Sequence, residues 1–139
     1  MDTNQDNKTI TAPLAVTLPR KTRPDRRIAL NLNVYRNLDH FTNNTVKQLY
    51  SEILATQIEG IKLTTPIRLK FTLHRRDRRQ GDRANVLCIV EKFFCDALTH
   101  YGCLPDDTDE YIESTHYYTG EIDKANPRVD VEIIENYCE

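Results

Sequence analysis

Tryptophan is absent, methionine occurs once and glycine only four times in 139 residues. So few glycines, and six prolines with no repeating period, exclude collagen-like and low-complexity chains. No apolar run approaches the roughly 20 residues that a membrane-spanning helix needs. The opening residues, Met1-Asp2-Thr3-Asn4-Gln5-Asp6-Asn7, lack the apolar stretch of a secretory signal. The four cysteines include no Cys-x-x-Cys pair, which argues against a zinc site. Without a secretory signal they read as reduced thiols, so a cytoplasmic protein is expected. His40, His74, His100 and His116 are scattered, and none stands in a nucleophile–base arrangement. A charge excess is also missing: 19 Lys and Arg oppose 21 Asp and Glu, a formal net charge of −2. At face value that argues against a nucleic-acid partner. What is present, 39% hydrophobic and 29% charged residues, suits one soluble globular domain.

The small net charge conceals segregation. From Lys62 to Arg83 there are eight basic residues (Lys62, Arg68, Lys70, Arg75, Arg76, Arg78, Arg79, Arg83) against Asp77 and Asp82. The segment up to Arg36 holds seven basic residues against Asp2, Asp6 and Asp25. From Asp106 onward eleven acids face only Lys124 and Arg128. Local potential, rather than the sum, selects partners.

Residues 1–26 are polar and contain Pro13, Pro19 and Pro24. They are expected to form a flexible basic arm, with room for a short strand at Leu14–Leu18. Residues 27–139 are expected to form the folded domain. Arg27–Tyr35 alternates apolar and polar residues at period two, the pattern of a half-buried strand. Thr42-Asn43-Asn44 offers helix caps ahead of Val46, Leu49, Tyr50, Ile53, Leu54 and Ile58, and Gly60 supplies the stop. Pro66–Arg75 alternates again. Asp82 is a good N-cap for a second helix that runs through Phe93, Phe94 and Ala97 to Gly102. Tyr111–Tyr118 and Arg128–Ile134 read as two further strands. The expectation is an α+β fold, a mixed β-sheet flanked by two α-helices in the order β-α-β-α-β-β.

At about 100° per residue, Asn85, Lys92 and Asp96 share one side of the second helix, with Asp82 at its N-terminal edge. Asp77 precedes the helix, and Asp106-Asp107 follow it. Taken singly, Asp82 is a cap, Asp106-Asp107 a turn and Lys92 a surface lysine. Taken together, carboxylates beside a lysine suit a hard divalent cation such as Mg²⁺ at a phosphodiester. Arg75, Arg76, Arg78, Arg79 and Arg83 are placed to hold neighbouring phosphates.

The run Leu69–Asp109 resembles the RusA family of Holliday-junction resolvases, small homodimeric endonucleases often encoded by phages and prophages. The resemblance rests on Arg75-Arg76-Asp77, on Lys92-Phe93-Phe94-Cys95-Asp96-Ala97-Leu98, and on Gly102-Cys103-Leu104-Pro105-Asp106-Asp107. It implies a Mg²⁺-dependent endonuclease that resolves four-way DNA junctions in recombination and repair. It also implies a homodimer, with no membrane partner and no organic cofactor, in a bacterial host cell. By the same resemblance, Asp82, Lys92 and Asp107 are the catalytic residues, and Asp77, Asp82 and Asp107 the metal ligands. Arg75, Arg76, Arg78, Arg79, Arg83 and Asn85 would contact DNA. The family's early Asp-x-Asp-Asn element is stretched here, so that Asn85 precedes Lys92 by seven residues. That departure supports an alternative, a junction-binding module with weak or lost catalysis. A third possibility is an interaction protein that uses the acidic segment Asp106–Glu139 to grip a basic partner.

Overall fold

The computed structural model describes residues 7–79 and 81–135. Its elements are β1 (Asn7–Ala12), β2 (Ala15–Leu18), β3 (Arg26–Ala29), α1 (Leu32–Asn37), α2 (His40–Ile58), β4 (Ile67–His74), α3 (Arg83–His100), β5 (Ile112–Thr119) and β6 (Arg128–Ile134). The fold is α+β. Four strands form a mixed sheet in the order β1-β6-β4-β5, and β2 pairs with β3 in a separate hairpin. Strand β4 lies parallel to β5, while β6 is antiparallel to both β4 and β1. A parallel pair requires a crossover, and α3 supplies it between β4 and β5.

The period-two pattern of β4 sends Ile67, Leu69, Phe71 and Leu73 into the core, each no more than 1% exposed. Helices α2 and α3 supply the other layer. Phe71 meets Phe94 of α3 edge-on, with ring centroids 5.8 Å apart, and Tyr50 of α2 meets Phe93 at 5.8 Å. Offset and edge-on pairs of this kind suit the quadrupoles of the rings. Truncating Phe94 to Ala in this layer would cost about 3–5 kcal/mol. Among the described residues no helix is long and apolar enough to cross a membrane.

Helix α3 keeps both expected ends. Asp82 caps it, its Oδ1 accepting the Ala84 N–H at 3.1 Å. At the other end Gly102 adopts φ +72°, a left-handed conformation that favours glycine. The Gly102 N–H then donates to the Thr99 carbonyl at 3.0 Å, and the Cys103 N–H to the Leu98 carbonyl at 2.8 Å. This Schellman closure turns Cys103 and Leu104 into the core and fixes where the Asp106-Asp107 loop begins.

Three expectations need correction. Residues 7–12 do not belong to a flexible arm, because they form edge strand β1, with Ile10 and Ala12 buried. Lys8 pairs with the buried carboxylate of Glu135 at 2.8 Å, and Gln57 closes the outer edge of the strand. The Thr11 N–H donates to Gln57 Oε1, and Gln57 Nε2 donates to the Thr11 carbonyl, both at 2.8 Å. A side-chain amide thus stands in for a neighbouring strand. The expected strand Arg27–Tyr35 ends at Ala29. Asn31 accepts the Val34 N–H at 2.9 Å and starts α1, since Leu32 and Tyr35 satisfy helical spacing as well as alternation. Helix α2 begins earlier than Thr42–Asn44, because Asp39 caps it by accepting the Thr42 N–H at 2.7 Å. The expected strand Leu14–Leu18 is present as β2.

Candidate functional site

The sequence-derived residues fall into four places. Lys92 and Asp107 come together. They line a cavity of about 470 Å³ between α3 and β5, the strand at the edge of the sheet opposite β1. Lys92 reaches it from the middle of α3, and Asp107 from the loop that the Schellman closure directs. Asp107 is exposed, and its own N–H is held by Asp106 Oδ1 at 2.8 Å. Glu91, Asp109, Glu113, Ser114, Thr115 and Tyr117 add to the polar lining. Glu113 is paired with Arg68 at 3.0 Å.

Tyr117 is the organising group of this cavity. Its hydroxyl donates to Glu91 Oε1 at 2.5 Å, which links the α3 wall to the β5 wall. Burial, then the Glu91 hydrogen bond and charge, push the Tyr117 phenol well above its ordinary range. Burial likewise raises Cys95, with Glu91 and Asp107 adding to the effect, and burial raises Cys88. Both cavity thiols are therefore held protonated, and neither is an activated nucleophile.

Asp82 stands elsewhere. It is ten residues before Lys92 on the same helix, about 15 Å along the axis at 1.5 Å per residue, and its carboxylate is used as the cap. Asn85 is half-buried in the first turn, its N–H donating to the Asp82 carbonyl at 3.0 Å. Asp96 is turned to the other flank of α3, where it pairs with Lys47 of α2 at 3.5 Å. Lys92 and Asp96 lie only about 40° apart round the helix, and the packing of α2 against α3 brings Asp96 to Lys47 and not to the cavity.

Asp77 belongs to the loop after β4. Its Oδ1 accepts the Arg79 N–H at 2.9 Å, an Asx-type turn, and its Oδ2 lies 3.9 Å from Arg79 Nε. Arg75 donates to the Gly81 carbonyl, and Arg83 to Thr119 Oγ1 at 3.0 Å. Arg76, Arg78, Arg79 and Arg83 are exposed. This loop also forms one wall of a groove of about 450 Å³ opposite the β2–β3 hairpin. Arg27 of β3, together with Arg75, Arg76 and Arg79, gives the groove its charge.

The expected ligands Asp77, Asp82 and Asp107 therefore do not make one site. Among the described residues, no three of His, Cys, Asp and Glu close on a point that would hold a metal ion. The carboxylates suited to a hard cation are those that line the cavity with Lys92, namely Glu91, Asp107 and Asp109, together with Glu113, which is paired with Arg68. Sequence reasoning missed Glu91, Asp109, Tyr117 and Arg27. Glu91 adjoins Lys92 in the chain, but adjacent helical residues do not share a face, so only the packing of α3 against β5 reveals it. Neither a protein-family model nor a curated protein matches this chain.

Proposed function

We propose that this protein is a RusA-like, Mg²⁺-dependent endonuclease acting on branched DNA such as four-way junctions. The observation that carries the reading is the convergence of Lys92 and Asp107, from separate elements, on one cavity. Four carboxylates line the cavity; with Glu113 paired to Arg68, the other three, Glu91, Asp107 and Asp109, bring a formal charge of −3 against +1 on Lys92, a surplus of −2. A phosphodiester would be repelled by that surplus unless a cation offset it. Mg²⁺ has the matching charge, and Asp107 with Glu91 or Asp109 would hold it; when bound it would polarise a phosphodiester oxygen.

The chain's own groups divide the remaining work. The Lys92 ammonium stabilises negative charge as it develops on the phosphate. Tyr117 fixes the orientation of Glu91 by its hydrogen bond. The arginines of the loop after β4 hold flanking phosphates and so supply affinity for the strand. A homodimer belongs to this reading, because symmetric cutting of two strands calls for two sites related by a two-fold axis.

A second reading, a junction-binding module without cleavage, is favoured by one observation: Asp82 caps α3 some two to three helical turns away from Lys92. One experiment separates them. A labelled synthetic four-way junction is incubated with wild type, Asp107→Asn and Lys92→Met, with and without Mg²⁺, and binding is followed in parallel by gel shift. The nuclease reading expects Mg²⁺-dependent cutting by wild type. It also expects a loss on the order of 100-fold in each variant, with binding retained. Binding without cutting by wild type establishes the second reading, and equal cutting by all three proteins removes Lys92 and Asp107 from the mechanism.

A further inference from the structure

The groove between the β2–β3 hairpin and the arginine loop has a composition that phosphate contact alone does not explain. Its rim carries Arg27, Arg75, Arg76 and Arg79 against the single acid Asp77, which is already engaged with Arg79. Its floor is aliphatic, formed by half-buried Leu14 and Val86 and by buried Leu30, with Pro13 and Pro127 beside them. Its volume of about 450 Å³ is that of a small-ligand site.

A DNA duplex offers such a groove only half of what it is built for. Phosphates would satisfy the arginines, but base faces are stacked inside the duplex and cannot reach an apolar floor. An unstacked base can. It presents an apolar face of nucleotide size, and the phosphates on either side of it meet the cationic rim. Arg75 is half-buried, its guanidinium donating to the Gly81 carbonyl, and a guanidinium face can stack on a base. At the exchange point of an open four-way junction the base pairs lose a stacking neighbour, so turning one base out costs less there than within a regular duplex.

We propose that this groove seats one unpaired nucleotide of a DNA strand, its base against Leu14, Leu30 and Val86 and its flanking phosphates on Arg27, Arg76 and Arg79. The proposal rests on the reading of the protein as one that acts on DNA, and it adds what that reading lacks: a place that distinguishes branched from regular duplex DNA. The seat is separate from the cavity of Lys92 and Asp107, so it governs which DNA is held rather than how a bond is cut.

The test is fluorescence anisotropy at fixed salt with two labelled ten-nucleotide probes, oligo-dT and a backbone of the same length bearing abasic residues. Wild type is expected to bind oligo-dT about 10-fold more tightly than the abasic probe. Leu14→Asn and Val86→Asn, each first checked for a native circular dichroism spectrum and melting curve, are expected to bring that ratio close to one. Arg27→Ala is expected to weaken both probes equally. Equal binding of the two probes by wild type overturns the nucleotide seat while leaving DNA binding in place. Failure to bind either probe or a four-way junction overturns the seat and the DNA reading together. Displacement of oligo-dT by free dTMP at matched concentration contradicts a seat built for a strand. If both floor variants fail to fold, the wild-type ratio alone decides.

Discussion

The cavity beside Lys92 and the groove beside Arg27 are built from opposite materials. The cavity gathers Glu91, Asp107, Asp109 and Glu113 around one lysine, and a tyrosine hydroxyl joins its walls. The groove sets four arginines around an aliphatic floor. The first carries a surplus of negative charge and the second a surplus of positive charge. Helix α3 joins them, since Val86 in its first turn lines the groove and Lys92 in its middle lines the cavity. A chain with a net charge of −2 can thus present a strongly cationic surface, because its acids are placed elsewhere. The difference suggests a division of labour in which one site holds a polyanion and the other acts on it.

That division can be broken most forcefully at Asp107. Asp107→Asn removes half the surplus negative charge of the cavity, and cleavage is expected to fall on the order of 100-fold with junction affinity unchanged. Next in size is the groove. Arg27→Ala with Arg76→Ala should weaken junction binding and reduce the slope of log affinity against log salt by about two, one unit for each phosphate no longer held. The rate at saturating protein should stay at the wild-type value. A smaller effect is expected of Tyr117→Phe, which leaves Glu91 without its donor. The cost in stability is about 1 kcal/mol, read by urea denaturation, and the cleavage rate should fall several-fold without a change in affinity.

The smallest expected effects are those of pH on stability, and they differ in sign between the two regions. At the cavity, burial raises the Cys95 thiol above its ordinary 9.0 and, with Glu91, the Tyr117 phenol above 10.0. A raised group keeps its proton in the folded state after the unfolded chain would release it. That stability is whole below about pH 9 and is lost as pH rises beyond it. At the turn beside the arginine loop, a hydrogen bond from Arg128 lowers Asp123 below its ordinary 3.8. That stability is present above pH 3.8 and is lost as pH falls through the folded value. Denaturation midpoints across pH should show the alkaline loss reduced in Tyr117→Phe and the acid loss reduced in Asp123→Asn.

Much of this architecture was legible in the residues alone. Strand β4 alternates without interruption, and α3 carries a capping Asp82 and a closing Gly102, so both elements are specified locally. Lys92 and Asp107 are singled out by the resemblance of their motif to the RusA family, and both line one cavity. Asp77 and Asp82 could not be placed by the same means, because the carboxylate that suits a cation also suits a turn and a cap. In the structure those local partners hold them. Strand β1 lay hidden in a polar, proline-bearing segment, since only its partner β6, the Lys8–Glu135 pair and the Gln57 amide give it an edge to occupy. The Glu91–Tyr117 bond and the place of Arg27 depend on elements far apart in the chain, and no periodicity encodes such pairings.

The central claim is that holding and cutting reside in separate sites. It is tested most directly by single-turnover cleavage of a labelled four-way junction at saturating protein and Mg²⁺, comparing Asp107→Asn with the Arg27→Ala, Arg76→Ala double variant. The account predicts that Asp107→Asn loses cleavage on the order of 100-fold while the double variant cuts at the wild-type rate once saturated. A double variant that remains as slow as Asp107→Asn at saturation, or an Asp107→Asn protein that cuts normally, would contradict it.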